Sequence, residues 1–268
     1  MMKEMGRLRS VAMFFVLALP CAAQFMTTLQ PRSVDEFDTY AHNVEAALQQ
    51  RWEGKQPFLS LDEDPSERAK VLEDDLWIQP GSANNPVAIY DALIHDWVGA
   101  VFIPRADLKK VLDILQDFNR HSRIYPDVKQ SRTVRRSGNN LTGFWRLERK
   151  QSLVSAVLEV TQDAEWQQVA PGKWVCRAYA KNIQELEHPG TPQEKALPLG
   201  QGRGFLWRLY AYWSLQALNG GVLAECRTLS LSRSIPPGLA WAIQPFIETL
   251  PRSALASTLR DTRAAVQQ

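Results

Sequence analysis

The sequence predicts an α+β fold in which a curved antiparallel β-sheet grips a long C-terminal helix, preceded by an N-terminal helical extension. Three observations lead to this prediction. Strand-like segments follow one another over residues 128–233, separated mostly by turns, which favours antiparallel pairing. Apolar residues recur at helical spacing near the start and at the end of the chain. The 268 residues, 45% of them hydrophobic, are enough to bury a sizeable core.

Residues 1–23 have the layout of a secretory signal peptide. Basic residues precede an apolar run and small residues follow it, in the order Lys3, Arg7, Arg9, then 11–19, then 21–23. The run is shorter than the ~20 residues that span a bilayer, and the small residues suit cleavage after Ala23. We therefore expect export to the periplasm or the outside of the cell, without stable membrane insertion after cleavage. Lipidation of Cys21 is the alternative to its removal.

Residues 24–86 are assigned to the N-terminal extension. The apolar stripe over residues 33–52 predicts an amphipathic helix, and Ser33 with Glu36 resembles a capping box. The acidic residues 60–75 predict a loop with one helical turn, and the pair Trp77-Ile78 predicts a short strand. Turn-forming proline, glycine and asparagine residues then mark the start of the main domain, residues 87–268.

The main domain begins with a predicted strand over residues 87–103 and a predicted helix over residues 105–121. Further strands are predicted over residues 128–137, 141–150, 153–161, 173–183, 205–218 and 222–233. Residues 162–166 read as a less regular stretch, and residues 188–204 as a long surface loop. The apolar stripe that follows predicts a final helix from Pro236, which Pro245 and Pro251 should kink or divide.

Charge and motifs exclude several function classes. The formal net charge of +2 belongs entirely to residues 1–23, so the rest of the chain is neutral and has no excess positive charge for nucleic-acid phosphates. No metal-ligand spacing and no nucleophile motif is present, so we assign no catalytic residue, no metal site and no cofactor.

Cys176 and Cys226 lie on strands that another strand should separate, which predicts buried free thiols.

The order of these elements resembles the helix-grip fold of the START and birch-pollen-allergen-like superfamily, also called SRPBCC. The segments that carry the resemblance are 92–104, the hairpin 212–222, the strand 225–233 and the opening of the last helix, 235–241. It covers roughly two thirds of the chain. Within the superfamily, the sequence resembles the uncharacterised secreted bacterial branch. The resemblance implies a cavity between sheet and helix that holds a lipid, sterol, polyketide or other hydrophobic molecule; a minority of members are enzymes.

Polar residues of two strands are candidates for orienting such a ligand. His95 shares a strand face with Trp97, which we expect to be the concave side, and is either a polar anchor or a hydrogen-bonded core histidine. Glu225 and Arg227 share a face with leucines, so they must be paired if buried. They are either anchors for a polar ligand head or an ion pair within the sheet.

Four tryptophans are candidates for the apolar lining. They occupy period-two positions of their predicted strands and either surround a ligand or fill a closed core: Trp97, Trp145, Trp207 and Trp213.

Three hypotheses follow from the sequence. The first is an exported binding protein for a hydrophobic small molecule or lipid, with no chemistry and no assigned protein partner. The second is a cavity enzyme of the cyclase or hydrolase kind, which needs His95 and Glu225 near one substrate position. The third is an interaction protein with a filled cavity that uses the N-terminal extension as its contact surface.

Overall fold

A computed structural model describes residues 26–151, 154–235 and 240–268 of the chain. The predicted signal peptide, residues 1–23, lies outside the described residues, and so does the predicted first turn of the last helix at Pro236 and Pro237.

The described residues form five α-helices and twelve strands, and eight of the strands follow one another between α4 and α5. The α-helices are α1 (Pro31–Trp52), α2 (Pro65–Leu72), α3 (Leu108–Gln116), α4 (His121–Ile124) and α5 (Ala240–Gln267), with short 3-10 helices at Ser60–Glu63 and Phe118–Arg120. The strands are β1 (Thr27–Thr28), β2 (Leu76–Pro80), β3 (Val87–Ile89), β4 (Ala92–Pro104), β5 (Val128–Ser137), β6 (Asn140–Gln151), β7 (Val154–Ala170), β8 (Lys173–Glu187), β9 (Lys195–Ala196), β10 (Gln201–Gly202), β11 (Arg208–Leu218) and β12 (Gly221–Arg233).

One large antiparallel sheet organises the fold. Its main path among the described residues is β2-β4-β12-β11-β8-β7-β6-β5, with β3 paired to β4 and β9 paired to β8. The sheet curves around α5, so that β4 contacts α5 directly while β5, at the far end, contacts α4, which itself touches α5. This is the α+β helix-grip arrangement predicted from the sequence, and that prediction is confirmed.

The last helix is continuous over residues 240–267. The predicted division at Pro245 or Pro251 is wrong, since packing against the sheet outweighs the single hydrogen bond that a proline removes; a kink at these residues stays a prediction. Among the described residues, no helix combines the length and apolar character needed to cross a membrane.

Both faces of the sheet are covered. On the inner face, apolar residues of α3 and α5 pack against alternate residues of the strands, for example Val101, Trp213 and Cys226. On the outer face, α1 packs its apolar stripe, Phe37, Ala41, Val44, Leu48 and Trp52, against the other set of alternate residues. β2, which also belongs to residues 24–86, pairs with β4 as a strand of the sheet.

A buried ion pair joins the outer face to the residues that precede β4. Nε and Nη2 of Arg227 donate to the two Asp96 carboxylate oxygens at 2.8 and 2.6 Å, and the Tyr40 hydroxyl of α1 donates to the same carboxylate at 2.7 Å. Arg227 also donates to the Gly81 carbonyl at 2.9 Å. A Cβ at Gly81 would lie 2.1 Å from Asp96 Oδ1, so only glycine permits this approach.

A second buried carboxylate holds the segment between α1 and α2. Glu225 is 3% exposed and accepts hydrogen bonds from the backbone N–H groups of Ser60 and Leu61, both at 3.0 Å. These donors open the 3-10 helix Ser60–Glu63, where N–H groups have no partner within the helix. Burial raises the pKa of Glu225, and the two N–H donors oppose that rise.

Within residues 24–86, local contacts differ from the sequence prediction. Ser33 and Glu36 do not form a capping box: the Ser33 hydroxyl donates to the Tyr90 carbonyl at 2.6 Å, and Glu36 accepts from the Tyr90 N–H at 2.9 Å. Both residues therefore tie α1 to the turn before β4. The predicted loop over residues 60–75 contains two helices, because Asp64 caps α2 by accepting from the N–H groups of Ser66 and Glu67.

In the main domain, two of the predicted elements are divided into shorter ones, and one predicted strand is longer in the structure than predicted. The strand predicted over residues 87–103 breaks at Tyr90 and Asp91, where Asp91 adopts a positive φ of 47°. The helix predicted over residues 105–121 is divided into α3, a 3-10 turn and α4. β7 extends to Ala170, so residues 162–166 belong to this strand, and its pairing with β8 shifts register between Thr161 and Asp163.

The Glu225 contacts predict a specific loss of stability. A Glu225→Gln substitution keeps the side-chain volume, but its amide N–H₂ must face one of the two buried backbone donors. We expect the free energy of unfolding to fall by about 2 kcal/mol, measured by urea denaturation.

The matched control is Glu67→Gln, which alters an exposed glutamate paired with Lys70 on α2. We expect a change below about 1 kcal/mol for that variant. Equal losses for the two substitutions would contradict the role assigned to Glu225.

Candidate functional site

A cavity of about 240 Å³ lies between the inner face of the sheet, α5 and the α3–α4 region. Side chains of β4, β6, β7, β8, β11 and β12 form its floor and sides. It is lined mostly by apolar and aromatic groups with a few polar atoms, the composition typical of small-molecule sites.

Small side chains on three neighbouring strands create the room. Ala211 of β11 faces Ala178 of β8, and Ala178 faces Ala164 of β7, so three alanines form one row across the cavity floor. The adjacent row is Trp213, Cys176 and Trp166, in register across the same strands. Two large rings therefore border a floor of methyl groups, which leaves an open volume above the alanines.

Helix α5 closes the cavity opposite the floor. Leu250, Ala254 and Thr258 recur at four-residue spacing and line the cavity from one face of the helix, joined by Leu255. The Tyr125 hydroxyl, at the end of α4, lies 3.0 Å from Thr262 Oγ1 of α5 and links the helix to the neighbouring wall.

That wall is a cluster of aromatic rings held by hydrogen bonds. Trp145 Nε1–H donates to Nδ1 of His121 at 3.1 Å, and the other ring nitrogen of His121 lies 3.2 Å from the Ile114 carbonyl. Both contacts are satisfied only by the neutral tautomer that carries its proton on Nε2. Phe118 packs on both rings, and a Cβ at Gly143 would lie 1.9 Å from Phe118, so glycine is required there.

Two buried histidines face this site. Burial lowers the pKa of His95 to about 4, and burial lowers the pKa of His121 to about 4 despite its contact with the Ile114 carbonyl. Both rings are therefore neutral near pH 7 and act as hydrogen-bonding groups without charge.

Charged groups occupy one side of the cavity. Arg149 and Asp127 form an ion pair at 2.7 Å, and burial lowers the pKa of Arg149. Asp261 of α5 accepts a hydrogen bond from Ser257 at 2.7 Å. The cavity's arginine is thus already neutralised by a carboxylate. Among the described residues, no group of three or more potential metal ligands comes together.

Three of the seven site residues predicted from the sequence line the cavity: His95, Trp145 and Trp213. The Nε2 atom of His95 lies 2.9 Å from Ser232 Oγ, so the ring has a partner inside the protein as well as a cavity face. Trp97 lies on the inner side of the sheet but outside the cavity lining, with the Arg252 guanidinium 5.9 Å from its ring centre.

The prediction that Glu225, Arg227 and Trp207 line the cavity is wrong. Glu225 and Arg227 point to the outer face, where they bind the Ser60–Leu61 backbone and Asp96. They do not form an ion pair with each other; Arg227 pairs within the sheet with Asp96 of β4 instead. Trp207 precedes β11, which begins at Arg208, and packs in the outer core because the strand alternation does not extend to it.

These positions bear on the enzyme hypothesis. His95 faces the inner side of the sheet and Glu225 faces the outer side, so the two side chains cannot reach one substrate position.

Several lining residues were missed by the sequence reading. Gln162, Ala164 and Trp166 line the cavity from β7 at period-two spacing, beyond the point where the predicted strand ended. Extending the alternation of Leu158 through that stretch would have found them. His121 lies at the end of the predicted helix, and nothing in the local sequence indicates its hydrogen bond to Trp145.

Among solved structures, the chain is similar to the STAR-related lipid transfer protein of Xanthomonas axonopodis. The identity is 17%, over 73% of this chain and 100% of that chain, with a TM-score of 0.48. It is also similar to the Zhui aromatase/cyclase of Streptomyces sp. R1128, at 9% identity over 65% and 94% of the two chains and a TM-score of 0.44. For human STARD10 the identity is 10% over 74% and 77%, with a TM-score of 0.41.

No family model matches the chain, and no curated protein sequence does. At these identities and TM-scores, the similarities do not extend to a ligand or an activity.

The buried, hydrogen-bonded ring of His121 predicts that the stability of the folded protein falls at acidic pH. Because its pKa is lowered from 6.5 to about 4 in the folded protein, the unfolded chain binds the proton more readily. Stability from this group is complete above pH 6.5 and is lost as the pH falls toward 4. In His121→Gln the amide can still accept from Trp145 and donate to Ile114. We expect this variant to lose about 2 kcal/mol less free energy of unfolding between pH 7 and pH 4 than the unchanged protein.

Urea denaturation at intervals between pH 7 and pH 4 measures the effect. His42→Gln, a substitution at an exposed histidine of α1, controls for the loss of a histidine. An unchanged pH dependence in His121→Gln would show that the ring does not carry the predicted linkage.

Proposed function

We propose that this protein is an exported, non-enzymatic binding protein that holds a hydrophobic small molecule or a lipid in the cavity between the sheet and α5. The observation that carries the proposal is the alanine row, Ala211, Ala178 and Ala164, which leaves open space in the middle of an otherwise tightly packed inner core. Protein interiors normally close such space.

The binding mechanism is burial of apolar ligand surface. Transfer of such surface out of water contributes about 25 cal/mol per Å². Trp145, Trp166 and Trp213 offer large apolar faces for that contact. The few polar atoms at the cavity orient the ligand, and no covalent step is required.

Export is part of the proposal and rests on the sequence of residues 1–23. The basic start, the short apolar run and the small residues before Gln24 support it. N-terminal sequencing of the protein from its native host tests it: we expect the mature chain to begin at Gln24. A chain that retains Met1 would contradict export through a cleaved signal.

Organic extraction of the purified protein, followed by mass spectrometry, tests the binding function. We expect a co-purifying apolar molecule at near-stoichiometric amounts, or saturable binding of the neutral dye Nile red when the cavity has been emptied. A folded protein with neither property would contradict the proposal.

The cavity floor predicts the effect of filling it. In an Ala178→Phe variant the new ring occupies the space above the floor, so we expect Nile red affinity to fall at least about tenfold. Nile red fluorescence titration measures the affinity, and circular dichroism checks that the fold is retained.

Ala88→Phe is the matched control, since Ala88 is exposed on β3 and away from the cavity. Its Nile red affinity should equal that of the unchanged protein. Equal affinity in the folded Ala178→Phe variant would indicate that the dye binds elsewhere.

A further inference from the structure

We propose that the ligand is an uncharged molecule with an apolar body and a hydrogen-bonding group at each of its two ends, one bound by His95 and Ser230 and the other by Gln162. This inference rests on the proposed function of the cavity and specifies the chemical class of its ligand.

The strand register places these residues on one line across the inner face. His95 of β4 faces Ser230 of β12, Ser230 faces Leu209 of β11, and Leu209 faces Ala180 of β8. On the next strand, β7, Gln162 occupies the register shift between Thr161 and Asp163, beside Ala180. The line therefore has polar side chains at its two ends and apolar side chains between them.

Gln162 is a buried polar group without a protein partner. The residue is 5% exposed and lines the cavity, and no hydrogen bond joins its amide to the residues that the structure describes. Its amide atoms are not among the fully enclosed polar atoms that lack a partner, so they are open to the cavity and can pair with a ligand group placed there. The irregularity of the β7–β8 ladder at this position is of the kind that redirects a side chain near a functional site.

The opposite end offers two further free positions. The Ser230 hydroxyl lines the cavity and, within the described part of the chain, has no hydrogen-bond partner. His95 is 2% exposed, lines the cavity and bonds to Ser232 through Nε2, which leaves Nδ1 without a partner among the described residues. Serine and histidine together can both donate to and accept from a ligand hydroxyl or carbonyl.

The electrostatics favour an uncharged ligand. Neither end of the line carries a cation, since Gln162 and Ser230 are neutral and burial disfavours a protonated His95. A carboxylate or phosphate placed at either end would lose its hydration without a compensating charge. The arginine at the cavity, Arg149, is already paired with Asp127 at 2.7 Å.

The geometry favours an elongated molecule. His95 and Gln162 lie four strands apart, which corresponds to roughly 19 Å along the sheet at ~4.8 Å per strand, and to less across the cavity because the sheet curves. Leu209 lies between them on the line and lines the cavity, and Ala178 of β8 and Ala211 of β11 line it too, so an apolar body meets apolar side chains when both ends are bound.

Competition against Nile red tests the inference with linear alkane-α,ω-diols from octanediol to tetradecanediol. Each diol is compared with the primary alcohol and the α,ω-dicarboxylate of equal chain length. We expect the best diol to displace Nile red at a concentration about fivefold to tenfold lower than its alcohol, as one added neutral hydrogen bond predicts. The dicarboxylate should be the weakest of the three.

Two variants assign the ends. Gln162→Leu should abolish the advantage of the diol over the alcohol while leaving alcohol binding unchanged, and Ser230→Ala should reduce that advantage from the other end. Gln167→Leu, at an exposed position of the same strand, is the matched control and should keep the full advantage. If Gln162→Leu fails to fold, Ser230→Ala carries the test alone.

The outcomes separate this inference from the proposed function. Displacement of Nile red by alcohols and diols with equal strength, or preferential binding of the dicarboxylates, would overturn the inference and leave hydrophobic binding in place. A folded protein that binds neither Nile red nor the alcohols would overturn both.

Discussion

The central strands β4 and β12 are covered by other elements on both faces. Each polar side chain on these strands must therefore find its hydrogen-bond or ion-pair partner inside the protein. On the outer face this requirement brings together Asp96, Arg227 and the hydroxyl of Tyr40, and it places Glu225 against backbone donors of residues 60 and 61. Arg227 donates from β12 itself, whereas residues 24–86 supply the Tyr40 hydroxyl and the two backbone N–H groups. A sheet with a solvated outer face would not need them.

Anchoring on the outer face also positions the inner face, because neighbouring residues of a strand point in opposite directions. Glu225 and Arg227 are separated by Cys226, which lines the cavity, and Arg227 is followed by Thr228, which lines it as well. The contacts of Glu225 and Arg227 on the outer face therefore fix the backbone of β12, and with it the positions of Cys226 and Thr228 in the cavity lining. None of the described residues 26–86 lines the cavity, and the backbone of β12 connects their contacts with Glu225 to the lining residue Cys226.

Much of the fold could be predicted from the sequence, since turn signals and period-two patterns define most strands and the apolar stripes define α1 and α5. The placement of the site residues could be predicted only in part. Alternation groups Glu225 with Leu223 and Leu229 correctly, but both faces of β12 carry apolar residues, so the pattern does not say which face borders the cavity. That depends on α1 covering the outer face, a long-range contact. The register shift at Gln162 belongs to the pairing of β7 with β8, and the alternation within β7 does not indicate it.

The row of alanines on the cavity floor has a consequence for how such a protein can evolve. Every alanine codon is a single nucleotide away from a valine codon, and each of Ala164, Ala178 and Ala211 projects into open space rather than into a neighbouring side chain's position. One base change at any of the three codons would replace alanine with valine, which adds two methyl groups to the lining and makes the cavity smaller. Strand pairing, which favours valine, would be preserved. Cavity size is thus set by three alanines on neighbouring strands, and single substitutions can change it in small steps.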